Sequence, residues 1–144
     1  MSDDSRATGK CLCGAVKITL ASRPKEVGAC HCNMCRRWAS GPSMAFDAGK
    51  DIKVEGKAHV TAYRSSEWGE RAFCKTCGSN LYFRLVEADS YVVCAGLLDD
   101  QDSLAFTSQI FIDSKPNFYD FANDTKNLTA AEFIAMYAPP ADKA

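Results

Sequence analysis

Seven of the eight cysteines fall into three tight clusters, Cys11-x-Cys13, Cys30-x-Cys32-x-x-Cys35 and Cys74-x-x-Cys77. Nothing else in the chain limits its fold so strongly. If the clusters bind metal, segments far apart in sequence must meet around it. Clustered thiols point to disulfides in an oxidising compartment and to metal in a reducing one. The opening stretch MSDDSRATGK is polar and mildly acidic. It lacks the apolar centre of a signal peptide and the Arg-rich, acid-poor character of a transit peptide. The expectation is a cytoplasmic protein whose thiols are reduced and bind metal. Cys94, alone inside YVVCAGLL, is expected to be a small core side chain.

Spacing divides the seven thiols. Read as part of a strand, Cys11 and Cys13 point to one side and offer two corners of a tetrahedron. Cys74 and Cys77 offer the other two, giving a closed four-thiolate site of the structural kind. Each pair is followed by a glycine, Gly14 or Gly78, which permits the positive φ of a tight metal-binding turn. Cys30, Cys32 and Cys35 are left as a three-ligand site, and catalytic zinc keeps three protein ligands and one open position. The expected cofactors are therefore two zinc ions, one structural and one potentially catalytic. His31 and Cys94 are the alternatives that would close the second site.

Composition narrows the class. At 144 residues, 47% hydrophobic and 24% charged, the chain suits one soluble domain spanning 1–144. A net charge of -1 gives no field that would gather nucleic acid or an anionic membrane. The run YVVCAGLL is too short to cross a bilayer. Short β-branched and aromatic runs separated by turn residues predict a mostly antiparallel β fold. In KCLCGAVKITL, Val16, Ile18 and Leu20 share one face. A helix is expected near the end, where Thr129 and Glu132 form a capping box and Pro139 and Pro140 stop it. Its apolar face, Phe133, Met136 and Tyr137, is expected to pack on the sheet. A short helical turn is expected through NMCRRW.

Three thiolates donate strongly and leave bound zinc with a formal charge of about -1, a poor activator of water. Such a centre still keeps an added thiol deprotonated near neutral pH. That favours a small thiol substrate whose sulfur attacks an aldehyde. Arg36 and Arg37 follow the triple and can hold a carboxylate of an anionic thiol. His31 is a candidate proton donor to the alkoxide, or else orients the site. A non-enzymatic two-zinc module that binds a protein partner is the alternative; it should carry a basic targeting tail, and neither end here has a basic run.

The motifs GKCLCGAVKITL, CHCNMCRRWASGP, FCKTCGSNLYF, AGLLDD and IFIDSKPNFYD, in this order, resemble the glutathione-dependent formaldehyde-activating enzyme family, whose domain is also found in centromere protein V. In the closing motif many members carry Trp where this chain has Phe118. The resemblance implies short sheets in a tent-like, two-zinc fold. It implies structural zinc on Cys11, Cys13, Cys74 and Cys77, and a second zinc on Cys30, Cys32 and Cys35. The implied activity is that of a carbon–sulfur lyase condensing glutathione with formaldehyde to S-hydroxymethylglutathione, or the reverse.

Overall fold

The computed structural model describes residues 6–137 and is mostly β, with short antiparallel pairings and a C-terminal helix. The described residues form eleven strands: β1 (Ala7–Lys10), β2 (Lys17–Leu20), β3 (Glu26–Cys30), β4 (Ser43–Gly49), β5 (Ile52–Glu55), β6 (Val60–Arg64), β7 (Gly69–Cys74), β8 (Asn80–Leu85), β9 (Ser90–Cys94), β10 (Ala105–Ile110) and β11 (Lys126–Leu128). Two helices accompany them, α1 (Asn33–Ala39) and α2 (Ala130–Tyr137). The chain divides into two compact units, each made from two separate segments.

The first unit takes the chain up to Glu26 and Ala45–Ala105. One sheet has the order β1-β2-β5, with Ile18 opposite both Gly9 and Val54. A second run has the order β4-β9-β8-β7-β6, each neighbouring pair antiparallel. The alternation in KCLCGAVKITL does what the pattern requires, since Val16, Ile18 and Leu20 are at most 2% exposed. Phe46, Leu81 and Val93 fill the same unit's core. Burying one such side chain fully contributes roughly 1.5–3 kcal/mol.

The second unit takes Val27–Met44 and the chain from Phe106 on. Strand β11 pairs with β10 in parallel, Gln109 opposite Asn127. Val27 and Ala29 of β3 are buried, and Gly28 gives room to Ser108, whose hydroxyl would meet an added Cβ at 2.7 Å. Helix α2 has the expected capping box: the Glu132 N–H donates to Thr129 Oγ1 at 3.1 Å and the Thr129 N–H to Glu132 Oε1 at 2.8 Å. The expected apolar face departs from the pattern. Phe133 is half-buried, its ring centroid 5.8 Å from that of Phe111, but Met136 is 60% exposed. Eight residues give little more than two turns, and the side chain of Tyr137 lies outside the described residues. Pro139 and Pro140 lie outside the described residues.

Candidate metal centres

In the first unit the sulfurs of Cys11, Cys13, Cys74 and Cys77 all lie within 4.8 Å of one another. The expectation that Cys11 and Cys13 share a strand face is corrected: both sit in a turn between β1 and β2. The Gly14 N–H closes this turn on the Cys11 carbonyl at 3.0 Å, with Gly14 at φ +83°. The Cys74–Cys77 turn repeats the device. The Gly78 N–H donates to the Cys74 carbonyl at 2.7 Å, with Gly78 at φ +82°. Nothing stands where a Cβ would project from either glycine, so the positive φ, not space, is what demands glycine.

Backbone and hydroxyl donors face these sulfurs. The Val16 N–H donates to Cys11 Sγ at 3.3 Å. Ser79 Oγ lies 3.2 Å from Cys77 Sγ and accepts the Leu12 N–H at 3.0 Å, tying the two turns together. Its hydroxyl and N–H, with the N–H of Cys13, hold the Cys77 thiol down at about 5. Although the Ala15 N–H favours the Cys13 thiolate, burial and the three neighbouring sulfurs push Cys13 up to about 11. Four crowded sulfurs cannot all ionise unless a cation sits among them. Tetrahedral zinc with Zn–S bonds of ~2.3 Å needs sulfurs ~3.8 Å apart. Cys11 and Cys13 are 3.7 Å apart, and Cys13 and Cys74 are 3.9 Å apart. The donor set and its spacing fit zinc.

In the second unit the sulfurs of Cys30, Cys32 and Cys35 also lie within 4.8 Å of one another. Cys30 ends β3. Cys32 is the N-cap of α1, its sulfur accepting the Cys35 N–H at 3.3 Å. The helical turn expected through NMCRRW is thus real, and it brings Cys35 back over Cys32. Cys32 and Cys35 together push the Cys30 thiol far above its ordinary value, the behaviour of a set of thiolates that needs a cation. Cys94 ends β9 in the first unit and belongs to neither sulfur group.

The residues around the triple fall into two groups. His31 is completely buried. Its Nε2 lies 2.8 Å from Gln109 Oε1 and its Nδ1 lies 2.8 Å from Tyr119 Oη. The Gln109 amide donates to Thr125 Oγ1 at 2.8 Å, and the Thr125 hydroxyl donates to Asn127 Oδ1 at 2.6 Å. The rings of Tyr119 and Phe121 lie 5.6 and 6.1 Å from the imidazole, centre to centre. Arg36 and Arg37 lie in the last turn of α1, where cations complement the helix dipole. Arg36 Nε donates to the His31 carbonyl at 2.8 Å, while Arg37 is exposed. No sequence feature assigns a site role to Gln109, Tyr119 or Ser79. Ser79 lies two residues after Cys77 in FCKTCGSNLYF, and Tyr119 lies in IFIDSKPNFYD with Gln109 just before it, but the two are far from the cysteines in sequence and nothing local links them to His31.

Two clefts of about 410 and 360 Å³ open in the first unit, and no cysteine lines either. No helix among the described residues is long and apolar enough to cross a membrane.

Residues 6–114 match the family described as glutathione-dependent formaldehyde-activating enzyme, and the chain belongs to that family. It is 38% identical over 127 residues to an uncharacterized lyase of Schizosaccharomyces pombe, covering 88% of this chain and 93% of the yeast protein. It is 34% identical over 83 residues to a Halomonas elongata protein provisionally named a glutathione-dependent formaldehyde-activating enzyme, covering 51% of this chain and 53% of that one. The fold resembles a crystal structure of a Rhodobacter sphaeroides protein, with a TM-score of 0.57 and 23% identity, over 85% of this chain and 99% of the other. Family and relatives support an enzyme of the lyase type, with two cysteine clusters able to hold metal ions.

Proposed function

We propose that the chain is a zinc-dependent carbon–sulfur lyase that joins glutathione to formaldehyde, or runs the reverse. The carrying observation is the triple itself: three sulfurs within 4.8 Å, one short of a closed tetrahedral set, in a chain whose family is named for this reaction. The thiol sulfur bonds to the aldehyde carbon, the C=O π pair moves to oxygen, and the thiol's proton ends on that oxygen. Cys30, Cys32 and Cys35 would hold the zinc, and its local cationic centre would lower the pKa of a substrate thiol so that it would be ionised near pH 7.

The chain's own residues set the rest. Cys32, as N-cap, fixes the start of α1 and so the spacing of the triple. Arg37, exposed at the end of α1, is open to a substrate carboxylate, and Arg36 braces the His31 carbonyl beside it. His31 has both ring nitrogens engaged and no exposed surface, so in this reading it orients the site. Cys11, Cys13, Cys74 and Cys77 would hold a structural zinc.

The test is exchange NMR with ¹³C-formaldehyde and glutathione on protein carrying two zinc equivalents. The expected result is exchange between free and glutathione-bound carbon faster than the spontaneous rate, abolished in Cys32→Ser. Two bound metals with no acceleration would favour the protein-binding module instead.

A further inference from the structure

A strand that ends a sheet carries unpaired N–H and C=O groups and invites another strand unless something blocks it. Four strands end the sheets of the described residues: β1, β5, β6 and β11. Three of them are blocked. The segment after β9 covers β1, where Gly9 bridges to Leu98 and the Asp99 N–H donates to the Thr8 carbonyl at 3.0 Å. Strand β5 carries the exposed charges Lys53 and Glu55. Strand β11 has only three residues. Strand β6 has none of these guards. It runs over five residues, Val60–Arg64, without proline, lysine or acid, and its register with β7 is unbroken.

The alternation of an antiparallel pair fixes which groups of β6 face outward. Just before the strand, the Lys75 N–H donates to the His59 carbonyl at 2.8 Å. The hydrogen-bonded pairs with β7 are therefore Thr61 with Phe73 and Tyr63 with Arg71. Val60, Ala62 and Arg64 turn their backbone groups away from β7. The Val60 N–H is taken by the Lys57 carbonyl. The Val60 C=O, and both backbone groups of Ala62 and Arg64, have no partner among the described residues. Ala62 is exposed, so another chain can reach them.

We infer that β6 is a self-association edge, through which two copies of the chain join antiparallel about a two-fold axis at Ala62. The two Ala62 residues then exchange N–H and C=O, and each Arg64 N–H donates to the Val60 carbonyl of the other copy. Thr61 falls opposite Tyr63 of the other copy, a β-branched and aromatic pair, and Tyr63 is 58% exposed. No like charges meet. The charge on β6 is Arg64, whose guanidinium is turned onto its own Ser66 and Glu67 carbonyls at 2.9 and 2.6 Å. A five-residue strand is ~17 Å long and buries less than the ~1,600 Å² of a standard interface, so the dimer is reversible and depends on concentration. Strand β6 contains no cysteine, and the dimer stands or falls independently of the proposed reaction.

Sedimentation velocity on the full zinc-loaded chain, over roughly a thousandfold range of concentration, tests this. The expected result is a reversible monomer–dimer equilibrium. Ala62→Pro removes the bonds between the two Ala62 residues and none to β7, so dimerisation should weaken about tenfold or more while the thermal melt is unchanged. Ala62→Lys and Ala62→Glu each set like charges face to face, and each alone should be monomeric over the same range. Mixed together, these two variants should form a heterodimer, because position 62 meets itself across the axis. A wild type that is monomeric throughout overturns the inference and leaves the edge to a strand of another protein. Association that persists in Ala62→Lys, or a mixture of the folded Lys and Glu variants that stays monomeric, overturns pairing through β6 at Ala62.

Discussion

Two glycine turns, linked by the Ser79 hydroxyl, present the four sulfurs of the first unit. The three sulfurs of the second stand at the end of a strand and the start of a seven-residue helix, and a buried histidine shares their segment. The first set is held by backbone geometry, with the buried Val16 donating its N–H to Cys11 Sγ. The second is braced by polar side chains, with His31 and Gln109 both buried. A backbone-built cluster needs its metal to keep its turns together. A side-chain-braced cluster keeps a separate network when the metal is lost. Stability should therefore reside in the first cluster and adjustable chemistry in the second.

The sharpest way to break this comparison is Cys77→Ser. Structural zinc binding is folding free energy, so this variant should lose about 5 kcal/mol or more of stability, or fail to fold, as read by thermal or denaturant melts. Cys32→Ser should remain folded, lose one of two metal equivalents by elemental analysis, and cost no more than about 2 kcal/mol. Equal losses in the two melts would erase the distinction. Gln109→Leu comes next. It leaves the buried His31 Nε2 without its hydrogen-bond partner and should cost about 1–3 kcal/mol without releasing either metal.

Acid supplies a graded version of the same test. Cys77 is held at about 5, while an unfolded thiol titrates near ~8.5. A lowered folded pKa contributes stability that is fully present above the unfolded value and is lost as pH falls through the folded one. Stability of the first unit, and metal retention with it, should therefore decline as pH falls from about 8.5 towards 5. Circular dichroism with a metal-release dye follows both. The smallest effect is expected from Cys94→Ala, about 1 kcal/mol with both metals retained, because Cys94 belongs to neither cluster. Loss of a metal equivalent there would make Cys94 a ligand.

Much of the architecture could be read before the structure, and for identifiable reasons. Val16, Ile18 and Leu20 alternate because one face of β2 is buried, so the pattern reports the environment directly. Thr129 and Glu132 are a local motif, and their reciprocal bonds form as read. The grouping of the clusters was legible because thiols at metal-ligand spacing point to metal, and their sulfurs meet as that spacing requires. The strand assignment for Cys11 and Cys13 failed because a period-2 pattern and a tight turn both place residues i and i+2 on one side. Gly14 was the clue that favoured the turn. Strand β11 is three residues, Lys126–Leu128, and exists only through its pairing with β10, so no local pattern could reveal it. Met136 kept the helical period but lacks a cover, and periodicity alone cannot supply the partner. Tyr119 lies in the closing motif, but its contact was illegible because it is a hydrogen bond to a residue remote in the chain.

That remoteness has a consequence for how the protein is made. His31 meets Gln109 across 78 residues and Tyr119 across 88. A ribosome adding ~5–20 residues per second needs roughly 4–18 s to produce those partners after His31. For that interval the cysteines of the triple are already made while the imidazole between them has neither of its hydrogen-bond partners. The triple is thus among the first chemistry to be synthesised and among the last to be braced.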